Sequence, residues 1–263
     1  MRAGGRTVDA MRTLILGATS QLGRALLRVV PDAHGTYFRQ SRTGDRWHAA
    51  DLTVPADLDA VLDRVQPERV VLCAYVQSGP WLQELTAEAP GWIASACRPA
   101  RFVHLSSDVV FPGLPEPVDE DAAPGPVHAY GSAKLESERR VLEACPDALV
   151  VRTSLLWAAE GTQARLAQEA PFPFYRDEIR CPTHLDDLAT ALLAASATDL
   201  SGVVHLAGAD TTDRATFARA LAAHLGADPT RIRDRLQPAG RPKHLHLISR
   251  RLPALPGWTT RVG

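Results

Sequence analysis

Strand-like runs and helical patterns alternate along most of this chain. The strand-like runs cover residues 12–17, 34–38, 47–49, 70–73, 101–106, 149–152 and 203–206. Residues 25–30, 56–65, 130–142, 185–197 and 216–225 place apolar side chains at helical spacing. Strands that are apolar on both faces are typical of a parallel sheet covered by helices. The pattern predicts an α/β fold, a Rossmann-type doubly wound parallel sheet with a small C-terminal lobe.

A glycine-bearing turn, Gly17-Ala-Thr-Ser-Gln-Leu-Gly23, connects the first strand-like run to the first helix. Such a turn lets backbone N–H groups approach a pyrophosphate, and the helix N-terminus stabilises the phosphate charge. On its own the motif is a weak signal. It predicts a dinucleotide cofactor held by six residues of the turn: Gly17, Thr19, Ser20, Gln21, Leu22 and Gly23.

Tyr130 and Lys134 lie four positions apart in a predicted helix, so they share one helix face. The chain has 4 tyrosines and only two lysines, Lys134 and Lys243. An ammonium so close stabilises a phenolate by up to about 4 kcal/mol at an effective dielectric of about 20. The pair therefore predicts a tyrosine of lowered pKa, able to protonate a developing alkoxide or to deprotonate an alcohol.

Ser107 directly follows the buried run 101–106. The carboxyl end of a parallel strand is where open α/β sheets bind their ligands, so the hydroxyl is placed to bond a substrate carbonyl or alcohol. Capping of a turn is the structural alternative for Ser107. The next residue, Asp108, either orients the local backbone or serves as an acid, and the sequence leaves both possibilities open.

Along the chain the glycine turn comes first, then Ser107, then the Tyr130–Lys134 pair. Three motifs in this chain order resemble the extended short-chain dehydrogenase/reductase superfamily and, within it, the dTDP-4-dehydrorhamnose reductase-like branch. The resemblance spans nearly the whole chain from Met11. Besides the glycine turn and Asp51-Leu52, it rests on SSDVVFPG (106–113), YGSAKLESE (130–138), VVRTSLLW (150–157), DEIRCPTHLDDLA (177–189) and GVVHLAG (202–208). The catalytic Ser/Thr, Tyr and Lys of the family fall on Ser107, Tyr130 and Lys134.

This resemblance implies an NAD(P)H-dependent reductase of a nucleotide-linked 4-keto-6-deoxy sugar. The cofactor would supply hydride, Tyr130 would protonate the carbonyl oxygen and Ser107 would orient it. Lys134 would lower the pKa of Tyr130 and bond the nicotinamide ribose. Further cofactor-binding residues would be Asp51, Leu52, Ala74 and Tyr75. The substrate-binding residues would be Ser107, Asp108, Val109, Tyr130, His184 and Arg241.

Two of the substrate-binding assignments have an equal structural alternative. Residues 183–187, including His184, are also typical of a capped helix start. Arg241 is followed by a proline, and an Arg-Pro pair at this late position borders the substrate in the family. A solvated arginine in a basic tail explains Arg241 equally well.

The chain departs from the family pattern in three places. Ser20 replaces the middle glycine of the turn, which adds a side chain beside the phosphates and a hydroxyl that is able to bond them. Thr86 replaces an asparagine that the family commonly has in the helix before the strand of the catalytic serine. The stretch 75–107 is shorter than usual and is interrupted by Gly79-Pro80 and Pro90-Gly91.

Other members of the superfamily epimerise or dehydrate nucleotide sugars with the same triad. Dehydration wants acidic partners just after the Ser/Thr, and the Val109 that follows Asp108 argues against it. Reduction of a non-sugar ketone is a further alternative. So is a non-catalytic, NADP-binding regulatory subunit, against which the complete triad weighs.

The region after the second strand bears on cofactor choice. No Asp or Glu ends the run 34–38, where a carboxylate would bond the ribose diol of NAD. Arg39 and Arg42 follow, and Arg39 is expected to hold a 2′-phosphate. The sequence therefore favours NADP(H) over NAD(H), with solvated loop arginines as the alternative.

The domain organisation follows from a change of pattern that begins at about Thr153. Residues 1–10 are polar and are expected to be a disordered extension. Residues 11–157 would form the NAD(P)-binding Rossmann domain. Residues 158–263 would be mainly a substrate-binding lobe, with part of it returning to the Rossmann sheet. Residues 112–126 are rich in Pro and Gly and are expected to form a loop at the active site.

Length and charge agree with this assignment. The 263 residues carry a net charge of −1, which gives no reason to expect nucleic acid or an anionic membrane as partner. No apolar run is long enough to span a membrane, and the start lacks an apolar signal core. Four cysteines without paired spacing favour a reduced, cytoplasmic protein. A homodimer is a separate expectation for its assembly. His244 and His246 lack a third ligand at recognisable spacing, so no metal site is expected.

Overall fold

The computed structural model describes residues 11–262, so the expectation for residues 1–10 lies outside the described part. The chain divides into two compact units. The first contains the residues up to Ser106, together with Ser132–Val151 and Ala189–Val203. The second contains Ser107–Gly131, Arg152–Leu188 and the residues from Val204 onward. Residues 107–131 thus belong to the second unit although they precede 157, and the predicted boundary at 157 stays a prediction.

A seven-stranded sheet forms the centre of the fold. Its strands are β1 (Thr13–Leu16), β2 (His34–Tyr37), β3 (Trp47–Ala49), β4 (Arg69–Leu72), β5 (Arg101–Ser107), β6 (Leu149–Thr153) and β7 (Gly202–His205). They stand in the order β7-β6-β5-β4-β1-β2-β3. Every neighbouring pair from β5 to β3 is parallel. The predicted Rossmann-type parallel sheet is confirmed, and each predicted sheet strand is present within one or two residues.

Helices alternate with the strands along the chain. They are α1 (Gln21–Val29), α2 (Pro55–Val65), α3 (Ala89–Ala96), α4 (Ala129–Ala144), α5 (Thr162–Glu169), α6 (Leu185–Ser196), α7 (Arg214–His224) and α8 (Thr259–Val262). In the first unit, Leu14, Val70 and Phe102 of neighbouring strands are buried in one core cluster with residues of α2 and α3. No helix among residues 11–262 is long and apolar enough to cross a membrane.

The second unit has its own aromatic core. Trp157, Phe217 and Trp258 pack edge to face, with ring centroids 5.6 and 5.7 Å apart. This core includes α5, which the sequence pattern did not predict. The segment after Pro171 contains two-residue strands: Phe174–Tyr175 pairs with Asp234–Arg235, and Ile179–Arg180 pairs with Thr212–Asp213.

The stretch before β5 corrects one expectation. Pro90-Gly91 does not interrupt the chain, because a π-helical segment, Leu82–Glu88, passes directly into α3. Pro90 lies in the first turn of α3, where its missing N–H is tolerated. Proline also clashes with the carbonyl four residues earlier, and the wider i to i+5 bonding before it relieves that crowding. The Ala89 N–H accordingly bonds the carbonyl of Glu84.

Candidate active site

The turn after β1 is shaped for close approach of another group. Gly17 has a φ of +83°, and a Cβ on it would lie 2.8 Å from Ala74, which follows β4. Its N–H donates to Thr36 Oγ1 at 2.9 Å. The strand order reverses between β1 and β4, which is where doubly wound sheets bind dinucleotides. A side chain at position 17 would collide with Ala74, so only glycine allows the turn to pack this closely against the end of β4. The turn therefore lies at the position in the sheet where a dinucleotide is expected.

Ser20, which replaces the middle glycine of the family turn, caps α1. Its Oγ accepts a hydrogen bond from the Gly23 N–H at 3.0 Å. A hydroxyl accepts and donates at once, so its own proton is still able to bond a phosphate oxygen. The side chain thus replaces the flexibility of glycine with a fixed helix start.

Arg39 and Asp51 lie beyond the ends of β2 and β3. Arg39 is exposed, with its Cζ 5.8 Å from the centroid of the exposed Phe38 ring. Asp51 Oδ1 accepts from the N–H and the hydroxyl of Thr53, at 3.0 and 2.7 Å. Its neighbour Leu52 is buried. The structure therefore leaves the Arg39 guanidinium accessible and commits one oxygen of Asp51 to its own turn.

The segment after β4 is fastened by Thr86, which is fully buried in the π-helical segment. Its Oγ1 accepts from the Val76 N–H at 3.0 Å and donates to the Val76 carbonyl at 2.8 Å. One hydroxyl thereby fixes the backbone just after Ala74 and Tyr75. This is what the residue at the family's asparagine position does here.

Lys134 of α4 is buried, with 2% of its surface exposed. Its Nζ donates to the Leu105 carbonyl of β5 at 2.6 Å and lies 5.5 Å from the centroid of the Tyr75 ring. Burial lowers the pKa of Lys134 to about 8, while the Glu138 carboxylate acts in the opposite direction. The ammonium is therefore still mostly protonated at pH 7, but its pKa lies close to neutrality.

Ser107 ends β5 and opens a short 3₁₀ turn, Asp108–Val110. Its hydroxyl donates to Asp108 Oδ1 at 3.1 Å. Asp108 is fully buried, and Arg180 binds both of its oxygens, at 2.7 and 2.8 Å. Ser154 adds a fourth hydrogen bond to Asp108, at 2.6 Å to Oδ2. Asp108 is thus a fixed carboxylate that orients the Ser107 hydroxyl, and of the two possibilities left open by the sequence, this arrangement supports the structural one.

The start of α4 lies directly against this turn. A Cβ on Gly131 would come within 2.3 Å of the Val109 carbonyl, so only glycine permits the contact. Tyr130, half-buried, precedes Gly131, and its ring stacks on that of His128 with centroids 6.3 Å apart. Tyr130 is therefore held beside the segment that carries Ser107.

Several charged side chains of the second unit affect the pKa of His128. Burial lowers its pKa first, the positive charges of Arg241 and Arg180 lower it further, and Asp108 raises it. Its Nδ1 accepts from the Gly131 N–H at 3.0 Å. A neutral imidazole so bonded fixes the first turn of α4 without adding charge next to Tyr130.

Arg241 and His184 have different surroundings. The Arg241 guanidinium is exposed, 5.2 Å from the centroid of the Tyr175 ring, and its charge reaches His128. His184 contacts the Trp157 ring edge to face at 4.8 Å, and its Nδ1 accepts from the Asp186 N–H at 3.3 Å. His184 therefore carries out the helix-start role considered from sequence, while its contact with substrate stays a prediction.

Comparison with known proteins agrees with the fold and these motifs. Residues 11–261 match the protein family described as RmlD substrate binding domain. The chain belongs to this family. The resemblance seen in the sequence, to the dTDP-4-dehydrorhamnose reductase-like branch of the extended short-chain dehydrogenase/reductases, is thereby confirmed.

Two curated relatives and one solved structure illustrate what the chain is similar to. A dTDP-4-dehydrorhamnose reductase of Mycolicibacterium smegmatis is 34% identical, over 93% of this chain and 80% of the relative. Methionine adenosyltransferase 2 subunit beta of Xenopus laevis is 28% identical, over 82% of this chain and 72% of the relative. The crystal structure of a dTDP-4-dehydrorhamnose reductase from Bacillus anthracis, in complex with NADP, covers 96% of both chains with a TM-score of 0.79. At 23% identity this last likeness supports the fold alone.

Three residues of this RmlD-family site escaped the sequence analysis: Arg180, Glu138 and His128. Arg180 and Asp108 stand 72 positions apart, and no spacing rule joins them. Glu138 falls one helical turn after Lys134, and this spacing was a usable signal. No group of three or more His, Cys, Asp or Glu side chains able to hold a metal occurs among residues 11–262.

Proposed function

We propose that the protein is an NADPH-dependent reductase of a nucleotide-linked 4-keto-6-deoxy sugar. The observation that carries this proposal is the Tyr130–Lys134 pair on α4, with Lys134 buried against β5. Membership of the RmlD family and the curated reductase at 34% identity support the substrate class. NADPH, when bound, supplies the hydride that adds to C4 of the sugar.

The residues of this chain handle the proton and the oxygen. Tyr130 donates its phenolic proton to the carbonyl oxygen of the substrate as negative charge develops there. The charge of Lys134 stabilises the phenolate that is left, and burial strengthens this effect because little solvent screens it. One N–H of the ammonium bonds Leu105, and the others are donors for the cofactor ribose.

Ser107 polarises the same oxygen. Its hydroxyl is oriented by Asp108, which Arg180 and Ser154 hold in place. A hydroxyl has a single proton, and a hydroxyl that keeps this proton on Asp108 offers the substrate only lone pairs. We therefore expect the Ser107 proton to turn from Asp108 to the carbonyl when the sugar binds. This change needs only a rotation about the Cβ–Oγ bond of Ser107.

The same geometry argues against dehydration. A dehydratase needs a carboxyl group that gains and loses a proton beside the sugar. Asp108 is fully buried, and both of its oxygens bind the Arg180 guanidinium. It is committed to structure, and reduction is the reaction that the remaining groups support best.

The cofactor is NADPH because the end of β2 offers an accessible guanidinium and no carboxylate. Arg39→Ala is expected to weaken NADPH binding by about 1.5–3 kcal/mol, the value of a charge-assisted hydrogen bond, and to leave NADH nearly unaffected. Fluorescence titration with each cofactor measures this. Arg42→Ala in the same loop is the control, since Arg42 lies over the Trp47 ring at 5.9 Å. Equal losses for both cofactors in Arg39→Ala would contradict the assignment.

We expect Arg241 to bind the diphosphate of the nucleotide sugar. Its charge reaches His128, whose ring stacks on Tyr130, so it acts on the side of the unit where the reaction takes place. Arg241→Ala should raise the KM for the sugar well over tenfold and leave NADPH binding intact, because only one ligand loses its partner. Arg235→Ala is the control, as Arg235 lies equally close to Tyr175, at 5.2 Å. Similar KM effects in both variants would show that Tyr175 packing, not the phosphate, is what Arg241 serves.

The reaction class is tested by incubating the purified protein with NADPH and several 4-keto nucleotide sugars that differ in base and sugar. A reductase consumes NADPH with at least one of them and leaves the others nearly untouched. Conversion of a sugar without NADPH consumption would mean epimerisation. NADPH binding without any conversion would support a non-catalytic subunit.

A further inference from the structure

Helix α4 is bonded to two consecutive residues of β5. Lys134 Nζ donates to the Leu105 carbonyl at 2.6 Å. One turn later, the Glu138 carboxylate accepts a hydrogen bond from the hydroxyl of the next strand residue, Ser106. Glu138 is 3% exposed. The two bonds attach to β5, directly before Ser107, a helix face that carries a buried ammonium and a buried carboxylate one turn apart.

A buried carboxylate is expensive unless it is hydrogen-bonded and has an opposite charge nearby. The Ser106 hydroxyl supplies the hydrogen bond to Glu138, and Lys134 at i−4 supplies the charge. Packing alone therefore does not require a carboxylate at position 138. An apolar side chain at position 138 would fill the same space without a desolvation cost.

The other titratable groups that act on Lys134 in the described part of the chain are neutral near pH 7. Burial raises the pKa of the Cys73 thiol to about 12 and raises that of the Tyr75 phenol as well. Burial lowers the pKa of His104 on β5 well below its usual range, and Lys134 lowers it further. Glu138 is thus the group whose charge opposes the effect of burial on Lys134.

We propose that Glu138 is a positioning residue for the reaction, which keeps Lys134 charged and pointed at the end of β5. The role rests on the proposed function, in which the Lys134 charge assists Tyr130. Glu138 itself touches neither substrate nor cofactor. It acts through Lys134, and Ser106 fixes its carboxylate in the orientation that this requires.

The sign of the effect follows from the pKa of Lys134, which burial places at about 8 even with Glu138 present. Removing the carboxylate lowers that pKa further. Lys134 then loses its proton at a lower pH, and the support for Tyr130 is lost with it. Activity should be least affected in acid and should fall earlier as the pH rises.

The charge of Lys134 is measured directly because the chain has only two lysines. With 13C-labelled lysine, the Cε signals of Lys134 and Lys243 are followed by NMR against pH, and Lys243→Arg assigns them. Lys243 is 57% exposed and serves as internal reference. In Glu138→Gln the Lys134 midpoint should drop by about 1–3 pH units, the usual effect of a close opposite charge, and Lys243 should not move.

The matched control is Glu143→Gln, the same substitution on the same helix at a side chain that is 71% exposed and paired with Arg139. It should leave the Lys134 midpoint unchanged. If Glu138→Gln does not fold, Glu138→Met, an unbranched side chain of similar length without a charge, replaces it. An unchanged Lys134 midpoint in the folded variant overturns the proposal.

Kinetics then connect the charge to the reaction. In Glu138→Gln the alkaline limb of the kcat profile should move to lower pH by the same amount as the Lys134 midpoint, with NADPH binding at pH 6 unchanged. A uniform loss of kcat at every pH would mean a merely structural role and would overturn the proposal. The NMR titration needs no substrate, so it decides the Lys134–Glu138 link even if the protein proves not to be a reductase.

Discussion

Replacing Tyr130 with phenylalanine is expected to lower kcat by roughly 10²–10⁴, the usual loss when a general acid is removed. The substitution takes away the transferable proton and keeps the ring that stacks on His128, with centroids 6.3 Å apart. NADPH affinity should barely change. Steady-state kinetics with the preferred sugar, together with a cofactor titration, measure both quantities.

Tyr75→Phe is the matched control for this experiment. Tyr75 lies beside the same lysine, with its ring centroid 5.5 Å from Lys134 Nζ, but it follows β4 instead of opening α4. Loss of its hydroxyl should cost less than tenfold in kcat. A Tyr130→Phe enzyme with wild-type turnover would contradict the mechanism, and a large loss in Tyr75→Phe alone would exchange the roles of the two tyrosines.

Arg180→Met is expected to destabilise the protein by about 3–5 kcal/mol, because it leaves the buried charge of Asp108 without its partner. The Asp108 side chain is 0% exposed and that of Arg180 12% exposed. Arg180 also contacts Glu178 at 3.1 Å, so a second buried carboxylate loses support. Denaturant unfolding of the wild type and the variant measures the difference in free energy.

The control for this prediction is Arg176→Met, which removes an arginine paired with Asp234 at 2.7 Å in the same unit. The Arg176 side chain is 54% exposed, so the pair is screened and the loss should stay below about 1 kcal/mol. If the two variants lose similar stability, the Arg180–Asp108 pair is no better than a surface ion pair, and its role in holding Ser107 fails with it.

The sheet strands were predictable because each is a short run with a distinct pattern. Thr13–Leu16 and Leu149–Thr153 are buried at every position, and most of their side chains are apolar. Both runs are therefore recognisable as strands in the sequence. Helix α5 was missed because only Ala164 and Ala167 are buried along it, and small alanines give little helical periodicity. Burial that depends on small side chains is visible only in the fold.

The cofactor turn and the Tyr130–Lys134 pair were predictable because their geometry is local. A turn of seven residues and an i, i+4 spacing are both fixed by the backbone. The partners of Asp108 were not predictable, because Arg180 reaches it only through the pairing of short strands in the second unit. Thr86 shows a third case. Its position was recognised in the sequence, but its two hydrogen bonds to the Val76 backbone were not.

The Pro90 error has a related cause. A proline followed by glycine normally predicts a break, since it removes a donor and crowds the preceding turn. The chain avoids the break with a π-helical segment, and no local sequence rule announces such a segment. Thr86 lies in this π-helical segment, just before the predicted interruption.

The central claim, hydride delivery to C4 of a nucleotide-linked keto sugar, is tested most directly with NADPH that carries deuterium at both hydrogen positions of the nicotinamide C4. The protein is incubated with this cofactor and the preferred 4-keto-6-deoxy nucleotide sugar, and the product is examined by NMR. We expect one deuterium on C4 of the sugar ring, in a single configuration, for each NADPH consumed. Product without deuterium at C4, or deuterium at another carbon, would contradict the account.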